Sequence, residues 1–177
     1  MEKLLKIPYK VFNDWDLLQQ FLDRRGNPRY ELVGDVDLNN RKDIIDLGNL
    51  VRVDGVLNLY NSSIQSLGNL EYVGGYLDLK STPIKSLGNL KHVGGTLDLR
   101  WSSIKSLGDL ENVGGDLRLT ATPIQSLGNL KYVGGCFFLG GKPIKSLGNL
   151  EYVGTIILSK RHQIPEKQLT KFKIKYV

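Results

Sequence analysis

The chain has 177 residues, of which 41% are hydrophobic and 24% charged, a composition that fits one folded domain and excludes both a disordered chain and a membrane-embedded one. No apolar stretch approaches the roughly 18 residues of a membrane span, and one cysteine (Cys136) with two histidines (His92 and His162) excludes an internal disulfide and speaks against a structural metal site. The net charge of +6 is unevenly placed: residues 1–30 carry +2, residues 31–158 carry −1 and residues 159–177 carry +5, so the basic excess lies at the far end rather than along the middle.

Residues 1–31 read as an N-terminal cap. The first ten residues contain Leu4 and Leu5 but no apolar run of the roughly 7–15 residues a secretory leader requires. The segment Asn13-Asp-Trp-Asp-Leu-Leu-Gln-Gln-Phe-Leu-Asp-Arg-Arg-Gly26 predicts a helix over 13–25. Asn13 is the expected N-cap, Asp16 favours the first turn, and Arg24, Arg25 and Gly26 close the helix. Trp15, Leu18, Phe21 and Leu22 share one face of it.

Residues 32–158 are a repeat. The string Ser-Leu-Gly-(Asn/Asp)-Leu-x-x-Val-Gly begins at Ser66, Ser86, Ser106, Ser126 and Ser146, always 20 residues apart. A degenerate copy runs from Asp46 to Gly55. Within one unit, Leu77 and Leu79 alternate with Tyr76, Asp78 and Lys80, which predicts a short strand with one buried face. Ser81-Thr82-Pro83 turns the chain, Ile84 and Leu87 return to the core, Gly88-Asn89 turns it again, and Leu90 and Val93 point inward. Gly74-Gly75 predicts a backbone bend that a side chain would block. A single unit cannot bury its Leu, Ile and Val side chains, but stacked units can. About seven coils, with strands paired in parallel at about 4.8 Å, would form a rod.

Residues 159–177 read as a basic C-terminal cap. The unit before it, Val153-Gly-Thr-Ile-Ile-Leu158, is one residue short. After it, Lys171, Lys173 and Lys175 alternate with Phe172, Ile174 and Tyr176, which predicts an edge strand with one apolar and one basic face.

The repeat resembles the leucine-rich repeat family. The family's Leu-x-x-Leu-x-Leu-x-x-Asn-x-Leu segment is matched from its second leucine by Leu77-x-Leu79-x-x-Thr82-x-Ile84, followed by Leu87, Leu90 and Val93. The resemblance implies a right-handed, mainly β, parallel solenoid with an N-terminal capping helix and a C-terminal cap. A 20-residue unit leaves no room for a regular outer helix. Gly74 stands where the family's first leucine is expected. The family's asparagine is replaced by Ser62, Thr82, Ser102, Thr122 and Lys142, and the Ser and Thr hydroxyls are expected to bridge backbone groups of adjacent coils. The repeat also resembles short arrays of bacterial and bacteriophage proteins, which implies a cytoplasmic chain or a component of a bacteriophage particle.

Core and turn positions barely change between copies, whereas outward strand positions change greatly. One column reads Val56, Tyr76, Thr96, Asp116, Cys136, the next Asn58, Asp78, Asp98, Arg118, Phe138, and the third Tyr60, Lys80, Arg100, Thr120, Gly140. Asn61, Ser81, Trp101, Ala121 and Gly141 run beside them. Unrestrained drift of surface positions explains part of this variation. The residue types point further: Tyr60, Tyr76, Trp101 and Phe138, with Arg100 and Arg118 among them, are the kinds that carry interface energy. The expected partner-binding set is Tyr60, Tyr76, Asp78, Lys80, Asp98, Arg100, Trp101, Arg118 and Phe138, with Trp101 as the anchor and another protein as the partner.

Other columns have structural readings. Glu71, Lys91, Glu111, Lys131 and Glu151 alternate in sign, which avoids stacking like charges at sheet spacing. Pro83 and Pro123 against Ser63 and Ser103 point to duplication of a two-coil unit, a rule that Pro143 breaks. Lys85, Lys105 and Lys145 read as a solvated ridge. No catalytic residue, cofactor or metal is expected. His92 and His162 lie far apart, and the neighbouring carboxylates Asp78 and Asp98 sit on an open face without a pocket to separate their acidities. Two alternatives to the protein-binding reading are a structural role in a larger assembly, such as a virion or cell-surface array, and nucleic-acid binding through the basic C-terminal tail.

Overall fold

The computed structural model describes residues 4–140, 144–160 and 162–177. Gly141, Lys142 and Pro143, named above as members of three columns, lie outside the described residues. The chain is a parallel β-solenoid of about seven coils, mainly β, with few helices. None of the described helices is long and apolar enough to cross a membrane.

In chain order, β1 (Leu5–Pro8) is followed by a 3₁₀ turn (Tyr9–Val11) and α1 (Trp15–Asp23). Then come β2 (Tyr30–Val33), β3 (Val36–Asp37), β4 (Leu50–Val53) and β5 (Leu57–Asn58). The central coils each contribute two short strands: β6 (Tyr72–Val73) and β7 (Leu77–Asp78), β8 (His92–Val93) and β9 (Leu97–Asp98), β10 (Asn112–Val113) and β11 (Leu117–Arg118). The array ends in β12 (Tyr132–Gly140), β13 (Tyr152–Leu158), α2 (Glu166–Leu169) and β14 (Ile174–Tyr176).

These strands form two parallel columns. The first runs β1-β2-β4-β6-β8-β10-β12 and the second β3-β5-β7-β9-β11-β12, so that β12 joins them. The register is the repeat itself: Val73 pairs with Val93 and Val93 with Val113, Leu77 with Leu97 and Leu97 with Leu117. The second column is the strand expected from the alternation at Leu77. The first has no alternating signature, because its inward residues, such as Leu70 and Val73, are three apart and glycines follow.

The interior is a dry stack of like side chains. Leu77, Leu79, Ile84, Leu87, Leu90 and Val93 are fully buried, as are their counterparts 20 residues on. Each is worth about 1.5–3 kcal/mol when removed from water, and no single coil could cover its own set.

Two corners explain the invariant parts of the unit. Ser66, Ser86, Ser106, Ser126 and Ser146 accept a hydrogen bond from the backbone N–H of the glycine two residues on, at 2.9–3.1 Å. Those glycines are left-handed, with φ between 55° and 58°, which glycine adopts without strain. The Gly-Gly corner has a different cause. A Cβ on Gly74 would lie 2.1 Å from the Asp54 carbonyl oxygen, and one on Gly94 would lie 2.2 Å from that of Gly74. The side chain is excluded there by the neighbouring coil.

The ends depart from the expected boundaries in informative ways. The N-cap of α1 is Asp14, whose carboxylate accepts from the N–H of Asp16 and Leu17. Asn13, the expected cap, is instead in a left-handed turn with φ 44°. The helix buries Trp15, Leu18 and Leu22, with Phe21 half-buried. The sheet starts at Leu5, ahead of the expected start at 32, since β1 pairs with β2 from Leu5↔Tyr30 to Pro8↔Val33. At the far end the missing residue falls at the Gly-Gly corner: Gly154 stands alone opposite Gly134 and Gly135, and β13 runs straight through. The expected terminal strand is the three-residue β14, parallel to β13, preceded by the short α2. Phe172 and Ile174 pack on the core.

The hydroxyl column also acts differently from expectation. Thr82, Ser102 and Thr122 each donate at 2.7 Å to the carbonyl three residues back in their own coil (Leu79, Leu99 and Leu119). They close a turn within the coil and do not bridge coils. The buried Ser62 hydroxyl finds no partner among the described residues.

The two glycine types should be separable by urea unfolding. Gly94→Ala, which drives a Cβ into backbone, is expected to cost about 3 kcal/mol or more. Gly88→Ala, with φ 57° and open space around the added atom, should cost only about 1 kcal/mol.

Candidate functional site

The candidate face is the second strand column and the corner that follows it. Asn58, Asp78 and Asp98 each accept a hydrogen bond from the N–H two residues on, that of Tyr60 (3.1 Å), Lys80 (2.9 Å) and Arg100 (3.2 Å). The chain then passes through a left-handed residue: φ is 52° at Asn61, 56° at Ser81, 57° at Trp101 and 59° at Ala121. A side-chain acceptor before a left-handed residue is ordinary Asx-turn chemistry. It accounts for Asn and Asp at the column's first three positions.

Two of these carboxylates do not face water. Asp98 is fully buried and Asp78 is 6% exposed, which corrects the expectation that both are open to a partner. Asp98 is held by Arg100, whose Nε donates to Oδ1 at 2.9 Å and whose Nη2 donates to Oδ2 at 2.7 Å. The second guanidinium, Arg118, lies 3.8 Å from Asp98 and 3.0 Å from Asp116. Asp78 receives the Tyr76 hydroxyl at 2.9 Å and the Lys80 ammonium at 3.3 Å. The same Tyr76 hydroxyl is 3.4 Å from Asp98, so it ties the two carboxylates together. Its phenol is pushed above the ordinary tyrosine value, first by burial and then by the Asp78 carboxylate it donates to. Lys80, Arg100 and Arg118 thus balance Asp78, Asp98 and Asp116, and the face is locally neutral.

The aromatic members lie over this network. The Lys80 ammonium is 5.0 Å from the Tyr60 ring centre, the Arg100 guanidinium 5.4 Å from Trp101, and that of Arg118 5.7 Å from Phe138. Tyr60 and Trp101 are exposed, at 41% and 60%, whereas Tyr76 and Phe138 are half-buried. Of the nine expected residues, then, the structure joins Tyr76, Asp78, Lys80, Asp98, Arg100 and Arg118 in one polar network. It leaves Tyr60 and Trp101 as the large side chains open to a partner.

A second aromatic row was not singled out from the sequence. On the first column, Tyr72 and His92 stack with ring centres 5.0 Å apart and planes 9° apart, and Tyr132 and Tyr152 stack at 4.9 Å and 13°. Arg52 lies 3.6 Å over Tyr72. The signal was in the sequence, as aromatic residues at period 20 beside the alternating charges, but without the strand assignment nothing placed them outward. The charge column does pair: Lys91 with Glu71 at 3.4 Å and Lys131 with Glu111 at 3.0 Å.

No family model, curated protein or solved structure matches the chain.

Arg100 and Arg118 should behave differently on substitution. Arg100→Met leaves the buried Asp98 carboxylate without its two charge-assisted bonds and is expected to cost about 3–5 kcal/mol. Arg118→Met, whose nearer partner is the half-buried Asp116, should cost about 1 kcal/mol or less. Equal losses in denaturant unfolding would rule out the assigned role of Asp98.

Proposed function

We propose that this chain is a non-enzymatic protein-binding module that meets its partner along the corner of the second strand column, with Trp101 as the anchor and Tyr60, Lys80 and Arg100 around it. We read its coils as short leucine-rich repeats. In support, the Leu-x-Leu strand is followed by buried Ile and Leu at the family spacing, and no helix lies between Tyr30 and Leu158 among the described residues.

The observation that carries the reading is the conformation of Trp101. A bulky residue at φ 57° is strained by about 1–2 kcal/mol. Burial does not offset that strain, because the side chain is 60% exposed. Of the equivalent positions, Asn40 and Asn61 hold asparagine, which tolerates this conformation, and Ser81 and Ala121 hold small residues, so that Trp101 is the one bulky side chain among these left-handed corners. Tryptophan at this corner therefore carries a backbone cost that its contact with Arg100, 5.4 Å from the ring centre, offsets only in part, since such exposed pairs are worth about 0.5–1 kcal/mol. Such outliers collect where a surface is used, and a desolvated Trp beside Arg is a common energetic centre of a protein interface.

Binding is favoured over catalysis because the carboxylates on this face are already engaged. Asp78 and Asp98 are tied to Tyr76, Lys80 and Arg100, which leaves neither free to exchange a proton with a substrate.

Trp101→Asn tests the reading, since stability and binding should move in opposite directions. Release of the left-handed strain is expected to raise stability by about 0.5–1 kcal/mol, or Tm by about 1–4 °C for a chain of this size. Proteins that co-purify with the wild-type chain from its source cells should be depleted at least about tenfold on the variant. Undiminished recovery of every such protein would reject the proposal.

A further inference from the structure

We infer that the C-terminal end of the solenoid is a contact site for single-stranded nucleic acid, in which a base stacks on Tyr152 and the lysines beside it meet the phosphates. This surface is separate from the Trp101 corner and does not depend on it.

The last coil and the tail build the site together. Lys171 donates its ammonium to the Leu150 carbonyl at 3.0 Å. Three residues later Ile174–Tyr176 pairs with Ile156–Leu158, and Lys173 accepts from the Ile156 N–H at 2.8 Å. Residues 174–176 therefore run parallel to residues 156–158, and Lys171, in the turn after α2, reaches the same coil at Leu150 with its side chain, so that Lys171, Lys173 and Lys175 all lie against the coil that carries Tyr152. All three lysines are exposed. Among the described residues none has a carboxylate within ion-pair distance, in contrast to Lys91 and Lys131 on the coils before. Residues 159–177 carry six Lys/Arg against one acid. An unneutralised row of cations is what a phosphate backbone binds by releasing its counterions.

Charge alone does not choose between polyanions, and the aromatic row does. The Tyr132–Tyr152 stack has the separation of successive rungs, 4.9 Å, and nearly parallel planes. Among the described residues it ends at Tyr152, which is 50% exposed, because β14 pairs only with the later part of β13. A planar nucleobase can continue the stack as its next rung with its own phosphate one sugar away, whereas the anionic group of a lipid headgroup or of an Asp or Glu side chain has no flat ring attached to it. Successive bases on aromatic platforms beside a basic track are how sequence-tolerant single-strand binders work. Duplex bases, already stacked on each other, could not add to the row.

The full chain should bind a fluorescein-labelled oligothymidylate of about 12 nucleotides at low salt, read by anisotropy. The slope of log K against log salt is expected to be about −2 to −3, since each phosphate neutralised on a single strand contributes about −0.7. Lys173→Gln with Lys175→Gln should make that slope about 1.4 less steep. Tyr152→Ala should weaken binding about tenfold with the slope unchanged, and Tyr152→Phe, which keeps the ring, should restore it. The inference is overturned if the oligonucleotide does not bind. It is also overturned if both the lysine pair and Tyr152→Ala leave binding unchanged, or if phosphatidylserine vesicles, but not the oligonucleotide, capture the chain.

Discussion

The structure depends on how closely neighbouring coils approach at the Gly-Gly corner. At Gly74, Gly94, Gly114 and Gly134 the space a Cβ would need is occupied by the carbonyl of the coil before, at 2.1–2.2 Å. Backbone therefore lies directly on backbone. The two strand columns meet at this corner, and because it recurs every 20 residues, every other position of the unit falls on its own counterpart. The apolar rows coincide, and the dry interior follows from that coincidence rather than from any pairing specific to one coil. Asp54 holds the corresponding place in an early coil.

Exact stacking also imposes a difficulty on charged side chains, since like positions are brought within sheet spacing of one another. Two solutions appear. On the first column the sign alternates, and Lys91 and Lys131 reach back to Glu71 and Glu111. On the second, Asp78 and Asp98 are direct neighbours in register and would repel. There the compensation comes from within each coil, from Lys80 and Arg100 two residues on, and from the Tyr76 hydroxyl set between the carboxylates. The same carboxylates close the Asx turn that ends the strand. One residue type thus serves the backbone and the ion network together, which is why the column changes to Arg118 only where Asp116, in the neighbouring column, supplies the balancing charge.

The repeat, its parallel register, the inward Leu, Ile and Val rows and the helix face of Trp15, Leu18 and Leu22 were legible in the sequence, because each follows from periodicity alone. Three things were not. The first column was invisible, since the buried Leu70 and Val73 beside it are three residues apart, without the every-other-residue spacing of Leu77 and Leu79. The burial of Asp78 and Asp98 was hidden because outward on a strand does not mean exposed when longer neighbours such as Arg100 and Tyr76 fold over a short carboxylate. The choice of Asp14 over Asn13 as the helix cap follows from the turn out of the preceding 3₁₀ segment, where the Asn13 N–H donates to the Tyr9 carbonyl and Asn13 is left-handed, which leaves the extended cap conformation to Asp14. The candidate site was half legible: the column that carries Trp101 stood out by composition, whereas the left-handed backbone that gives it meaning is a property of the corner.

In an array each coil faces the same folding problem, so departures from the shared unit divide into those the fold uses and those it does not. Gly154 is of the first kind: it stands alone where other coils have Gly-Gly, in the strand whose later part pairs with β14. Phe137, fully buried where Leu117 and Leu97 precede it, is also of that kind, a larger side chain filling the interior near the end. Trp101 is of the second kind, because asparagine or glycine would satisfy its backbone with less strain and nothing in the interior is gained from the indole. The unneutralised lysines of the tail are of the second kind too, since an edge strand is protected by one or two charges and does not need a net +5. On the readings proposed above, these departures of the second kind, one at an exposed corner and one at an exposed end, are where the molecule meets its partners, since the fold itself has no use for either.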